Sequence, residues 1–181
     1  MAQIELFART EVGCVRKRNE DHFLVLNLQT GERGLLPHQR VQPLSIRGTL
    51  VSVCDGMGGA AAGDVASALA VDTLAEVMRT RSPFADLSTA QEAMHAAIDA
   101  VNQRIRHAAA EDPTRHGMGT TLTAALAFGP ELLIGHVGDS RAYIRRGRAL
   151  TQITTDHSVV GQLIAAGRLQ PEQAKDYEHR N

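Results

Sequence analysis

Along the chain the apolar positions change period several times, and each change predicts a change of element. Two short runs rich in β-forming residues, 23–28 and 49–54 (TLVSVC), predict strands. Between them, residues 29–48 are polar and carry Gly31, Gly34, Pro37 and Pro43, the pattern of a long solvated insertion. From 63 to 79 the period becomes helical, with Ala66, Leu69, Ala70, Thr73 and Val77 on one stripe. A second helix is predicted over 88–110. There Met94, Ile98, Val101, Ile105 and Ala108 recur at alternating steps of four and three, while Asp99, Arg104 and Arg106 fall outside the stripe. Ser88 is the expected N-cap, and Pro113 forbids a longer continuation.

Alternation then returns. Over 120–128, Leu122, Ala124, Leu126 and Phe128 alternate with Thr121, Thr123, Ala125 and Ala127, and Gly129 with Pro130 predicts a turn into a second, antiparallel strand over 131–137. A further strand is expected over 140–144. Beyond it, Thr155 or Asp156 would cap a helix over 157–166 closed by Gly167, and Pro171 would open a short helix over 172–176. Strands, then a helix pair, then strands do not follow the βαβ alternation of a parallel sheet. The pattern predicts an α+β fold, with helices packed on antiparallel sheet.

Composition narrows the function classes. The 181 residues fit one domain, 1–181, with 43% hydrophobic and 22% charged residues. Aromatics make up 3% and Trp is absent, which argues against a base-stacking platform. The net charge is −1 and the basic residues are scattered, so neither nucleic acid nor an anionic membrane is an expected partner. The opening MAQIELFARTEVG is interrupted by Glu5, Arg9 and Glu11, unlike a signal peptide or a membrane span. Cys14 and Cys54 make no disulfide framework, and a cytoplasmic location is expected. Neither has an Arg six positions on, where Glu20 and Ala60 stand, so the phosphate loop of thiol phosphatases is absent. Both cysteines are expected to be small buried fillers.

The candidate chemistry lies in carboxylates at strand ends. Asn19-Glu20-Asp21 precedes one strand, Asp55 ends another, and Asp139 sits in the turn Gly138-Asp139-Ser140. Two carboxylates ~4 Å apart repel by about 4 kcal/mol at an effective dielectric of ~20, so such a cluster calls for a cation. An all-oxygen set selects hard Mg2+ or Mn2+ over zinc. The glycines after Asp55 also satisfy a loose dinucleotide fingerprint, Gly56-x-Gly58-x-x-Ala61. That reading would aim the Asp55 carboxylate at a pyrophosphate, and the helix that follows leads into a second helix instead of a parallel strand. No Gly-Lys-Ser/Thr follows, which excludes a P-loop. A tight turn that frees a backbone carbonyl for a metal accounts for these glycines better.

Gly13-Cys14-Val15-Arg16-Lys17-Arg18-Asn19-Glu20-Asp21 resembles the opening motif of bacterial type 2C metal-dependent serine/threonine protein phosphatases. Asp55-Gly56-Met57-Gly58-Gly59 with Gly63, Ala66 and Ser67 resembles the second motif, and Gly117-Met118-Gly119-Thr120-Thr121 the third. Val137-Gly138-Asp139-Ser140-Arg141-Ala142-Tyr143, then Leu150-Thr151 and Thr155-Asp156-His157-Ser158, are similar to the next two, in order. The resemblance implies an antiparallel β-sandwich flanked by helix pairs, with a binuclear Mn2+ or Mg2+ centre and a third, weaker site. It implies that Asp55 bridges two metals, that the Gly56 carbonyl binds one, and that Glu20 and Asp21 hold metals through water or support the site. Asp139 matches the ligand of the third metal, and Arg16 matches the arginine that grips the substrate phosphate. Met57 stands where eukaryotic relatives carry a histidine acid, so His22 and His157 are the nearby candidates to replace it.

The resemblance implies hydrolysis of phosphoserine and phosphothreonine on phosphorylated proteins, opposing a serine/threonine kinase. Residues 161–181 resemble the family's flap segment and the His-Arg-Asn run after it. The family pattern then continues with two further metal-binding aspartates and the last strands, which this chain lacks. Open sheet edges are therefore expected. An alternative stands beside the enzyme: a catalytically dead phosphatase-like binding module that docks phosphoproteins or a kinase.

Overall fold

The computed structural model describes residues 3–34, 40–58 and 62–157, together with Gly161, Leu163, Gly167 and Gln170. Its elements run in the order β1 (Gln3–Glu5), β2 (Asp21–Asn27), β3 (Val41–Pro43), β4 (Thr49–Met57), α1 (Ala62–Arg81), α2 (Leu87–Glu111), β5 (Gly119–Thr120), β6 (Leu122–Phe128), β7 (Glu131–Val137), β8 (Tyr143–Arg146) and β9 (Ala149–Gln152). The central sheet is antiparallel in the order β2-β4-β6-β7, with β5 pairing the far end of β4. Two small ribbons, β1-β3 and β8-β9, accompany it. The α+β class read from the sequence is what the chain adopts.

Register decides which side chains share a face. Leu24 pairs with Ser52, Leu26 with Leu50, and Ala124 with Ser52 on the third strand. These positions point at the helices, and Leu24, Leu26, Leu50, Cys54, Ala124 and Leu126 are buried there. Helix α1 supplies Ala66, Ala70, Leu74 and Met78, and α2 supplies Ala90, Met94, Ala97 and Val101. Alanines at close helical spacing let the two helices and the sheet approach closely, so burial comes from tight contact as well as from large side chains. The two-residue turn after β6 has Gly129 at φ 55°, a conformation that glycine adopts without strain.

Several expectations need correction. The N-cap of α2 is Asp86, whose carboxylate accepts from the Thr89 amide at 2.8 Å while the Thr89 hydroxyl accepts from the Asp86 amide at 3.1 Å. Ser88 lies inside the helix. The stretch 29–48 is not simply a solvated insertion, because β3 pairs with β1 and Arg33 bridges to Leu26. The strand expected at 140–144 begins at Tyr143, since Ser140 and Arg141 are engaged through their side chains. Cys54 is buried as expected, but Cys14 is exposed in a loop that faces solvent throughout 11–18. The helices expected at 157–166 and 172–176, and most of 161–181, lie outside the described residues.

Candidate metal and phosphate site

The site forms where β2 begins and β4 ends. Antiparallel pairing sets Asp21 directly opposite Asp55, on the sheet face turned away from the helices. Glu20, one residue earlier, is held by its backbone: its carbonyl accepts from the Gly56 amide at 3.2 Å and from the Ser67 hydroxyl at 2.5 Å. Ser67 is fully buried on α1, so the helix grips the start of β2 at the acidic cluster.

Gly56 is required by contact. A Cβ there would lie 2.0 Å from the Gly63 carbonyl oxygen and 2.7 Å from that of Glu20. No side chain fits, and the backbone of β4 is pressed against the first turn of α1. Gly58 follows at φ 129°, a conformation strained for any residue with a side chain.

The Asp55 backbone is pinned from the other side. Its amide donates to Thr121 Oγ1 at 3.0 Å, and its carbonyl accepts from the Thr121 amide and from Thr120 Oγ1, both at 2.9 Å. Thr121 Oγ1 also meets Ser140 Oγ at 2.7 Å, which ties this lattice to the turn that carries Asp139. That turn needs Gly138 at φ 108°, where a Cβ would strike Thr121 Cγ2 at 2.7 Å. The sequence displayed Gly117-Met118-Gly119-Thr120-Thr121 as a motif without giving its threonines a task. Their task is to orient Asp55 from 65 and 66 residues away.

Electrostatics follow from this crowding. Burial, then the Asp21 carboxylate, then Asp139 push the Asp55 pKa up, while Arg16 pulls it down. Asp21, Asp139 and Arg16 thus all act on the Asp55 carboxyl group. Arg16 is exposed in the loop before β2. His22 is placed elsewhere: it faces α1, with Nδ1 3.0 Å from Ser67 Oγ, on the side of β2 opposite Asp21. His157 packs against His136 with ring centroids 4.9 Å apart, and its amide donates to the Gly138 carbonyl at 2.8 Å.

Opposed carboxylates, with no cluster of sulfur or imidazole ligands among the described residues, suit a hard divalent cation. Among the described residues, no three His, Cys, Asp or Glu side chains converge tightly enough to enclose one. The donor set therefore fits an open shell completed by water, as oxygen-ligated Mg2+ and Mn2+ sites commonly are.

Comparison with known proteins bears on this geometry. The family described as Protein phosphatase 2C matches residues 42–171. The serine/threonine phosphatase stp of Listeria welshimeri is 34% identical over 173 residues, covering 96% of this chain and 62% of that protein. The serine/threonine protein phosphatase PstP of Mycobacterium tuberculosis is 38% identical over 174 residues, covering 96% of this chain and 29% of that protein. This chain thus spans less than two thirds of the length of these relatives. Among solved structures, the PstP catalytic domain in complex with two manganese ions aligns with a TM-score of 0.71 at 37% identity, over 96% of this chain and 65% of that one. The S. agalactiae serine/threonine phosphatase aligns with a TM-score of 0.80 at 29% identity, over 99% of this chain and 66% of that one.

Proposed function

The chain belongs to the protein phosphatase 2C family, and on that premise we propose that it hydrolyses phosphoserine and phosphothreonine on proteins with the help of Mn2+ or Mg2+. The observation that carries this reading is the opposed pair Asp21 and Asp55, with Asp139 and Arg16 acting on the same carboxyl group. Asp55, Asp21 and the Gly56 carbonyl would hold the metal, Glu20 would support it, and Asp139 would serve a weaker third position. A bound dication supplies Lewis-acid activation of water and neutralises charge on the phosphoryl group.

The chain's own residues do the rest. Arg16 presents a planar fork of donors to two phosphate oxygens, a geometry that an ammonium group cannot reproduce. Thr120 and Thr121 keep Asp55 from turning as charge shifts beside it. Met57 has no proton to give and His22 is committed to Ser67, which leaves water or His157, beside the turn that carries Asp139, to protonate the leaving alkoxide. Phosphorylated proteins, including a serine/threonine kinase and its targets, are the partners this chemistry implies. Two free cysteines, one of them exposed, agree with a reducing cytoplasm.

One observation favours a second reading. Because three side-chain ligands do not converge among the described residues, a module that docks phosphoproteins without turnover also fits. Incubation with Mn2+ and a phosphothreonine peptide, with and without chelator, separates the two. Chelator-sensitive phosphate release is the expected result. Metal-dependent peptide binding without release would establish the binding module instead.

A further inference from the structure

Beside the acidic site lies an apolar cavity of about 440 Å3, between α2 and strands β5, β6 and β7. Ile98, Val101 and Ile105 of α2 line it, with Met118, Leu122 and Val137 opposite. Asp99, Asn102 and Arg106 form its exposed rim. Close packing is the rule in protein interiors, so an apolar hollow of this size at a surface marks a place built to be filled.

The wall nearest the acidic site belongs to both. Met57 lines the cavity and stands two residues after Asp55. Its side chain lies across Gly119, where a Cβ would meet Met57 Cε at 2.7 Å, and 64% of the residue is exposed. Thr120 lines the cavity while its hydroxyl holds the Asp55 carbonyl at 2.9 Å. Val137 lines it and leads directly into Gly138 and Asp139.

The hollow does not end there. A second cleft, of about 510 Å3, continues between α2 and β7 and shares Ile98, Asp99 and Val137 with the first. Among the described residues β7 pairs with β6 alone, and just past its end the His157 amide closes on the Gly138 carbonyl at 2.8 Å. The trough therefore runs along α2 and β7 to Met57, two residues from Asp55.

Resting on the phosphatase reading above, we infer that this cavity receives a large apolar side chain of the substrate polypeptide, next to the phosphorylated residue. Only a chain carrying phosphate and an apolar group side by side can occupy both places at once. Asp99 and Arg106 on the rim have opposite signs and select no charge, so the selection falls to the apolar walls. Met57, a flexible thioether at the junction, adapts to leucine, isoleucine or phenylalanine.

The test uses the whole chain with Mg2+, which leaves methyl NMR signals sharp. Three peptides are titrated, with a non-hydrolysable phosphonate in the phosphothreonine position so that turnover does not consume them: one flanked by leucine, one flanked by serine, and the leucine peptide without phosphate. The leucine phosphopeptide is expected to bind about tenfold or more tightly than the serine one, the scale of apolar pocket discrimination. It should also move the methyl signals of Met57, Met118, Ile98 and Ile105. In Asn102→Trp, which roofs the cavity from its rim, the preference should fall to about one while the serine phosphopeptide still binds; Asp99→Trp is the substitute if that variant melts early. Equal affinities in the natural chain would overturn the inference, as would methyl shifts that follow protein concentration and not peptide, the sign of a second copy in the cavity. Leucine peptides that bind alike with and without phosphate would keep the apolar pocket and defeat the phosphatase reading instead.

Discussion

Three pressures meet on the carboxyl group of Asp55. Burial, Asp21 and Asp139 raise its pKa, and the positive charge of Arg16 only partly relieves them. A folded-state pKa above the unfolded one favours the protonated form. The stabilising contribution is therefore complete below the unfolded pKa and is lost as pH rises through the raised value. In chelator at neutral pH, Asp55→Asn should melt at a higher temperature than the natural chain, and the difference should vanish at acid pH. Mn2+ at ~100 times its Kd should stabilise the natural chain by about 2.7 kcal/mol and leave Asp55→Asn unchanged. A variant still stabilised by Mn2+ in a thermal melt would remove Asp55 from the ligand set. Asp21, Asp55 and Asp139 were legible because each stands at a strand end or beside a glycine. Thr121 was not, since a hydrogen bond across 66 positions leaves no local trace. Cys14 was misjudged because residue type says little about burial in a loop that is exposed throughout 11–18.

Elements were legible where their period was long. Helix α2 shows a regular stripe, and Val101 and Ile105 are buried as that stripe requires, with Met94. Its start was misplaced because Ser88 matched a cap by type, whereas the reciprocal hydrogen bonds of Asp86 and Thr89 make the cap. Asp86→Ala should lower the melting temperature and speed hydrogen exchange in the first turn of α2, while Ser88→Ala leaves both nearly unchanged. The reverse order would return the cap to Ser88. Helix α1 buries Ser67, Val71, Leu74 and Met78 beyond the expected stripe, because it packs on α2 and on the sheet together. Strands β1 and β3 escaped notice for the opposite reason: each is three residues long, and their pairing joins positions about forty apart.

Taken whole, the molecule has one finished face and one open face on its central sheet. The helix side is packed by α1 and α2, apart from the clefts between α2 and β7. On the other side Phe23, Val51, Ala125 and Ile134 are half-buried, and Val53 is 49% exposed in the middle of β4. A cleft of about 360 Å3 runs there, bordered by Leu6, Phe7 and Ala142. Contiguous apolar surface of this kind attracts other apolar surface. The chain should bind a hydrophobic dye and sediment faster as its concentration rises, and Val53→Thr should weaken both effects. A monomer at all concentrations that takes up no dye would contradict this account of the open face. No described helix is long and apolar enough to cross a membrane.

Local chemistry determined what the sequence could reveal unaided. The α+β class, the two helices, the β6–β7 hairpin and the order of the acidic motifs all follow from period, turn residues and neighbours within a few positions. Tertiary structure alone decided that Asp21 faces Asp55, that α1 grips Glu20 through Ser67, and that Thr120 and Thr121 lock the Asp55 backbone. It also decided that an apolar hollow opens beside Met57. Each of these depends on register and close packing between segments tens of residues apart. A one-residue slip of β2 would turn Asp21 toward the helices and dissolve the site without changing a single letter of its motifs.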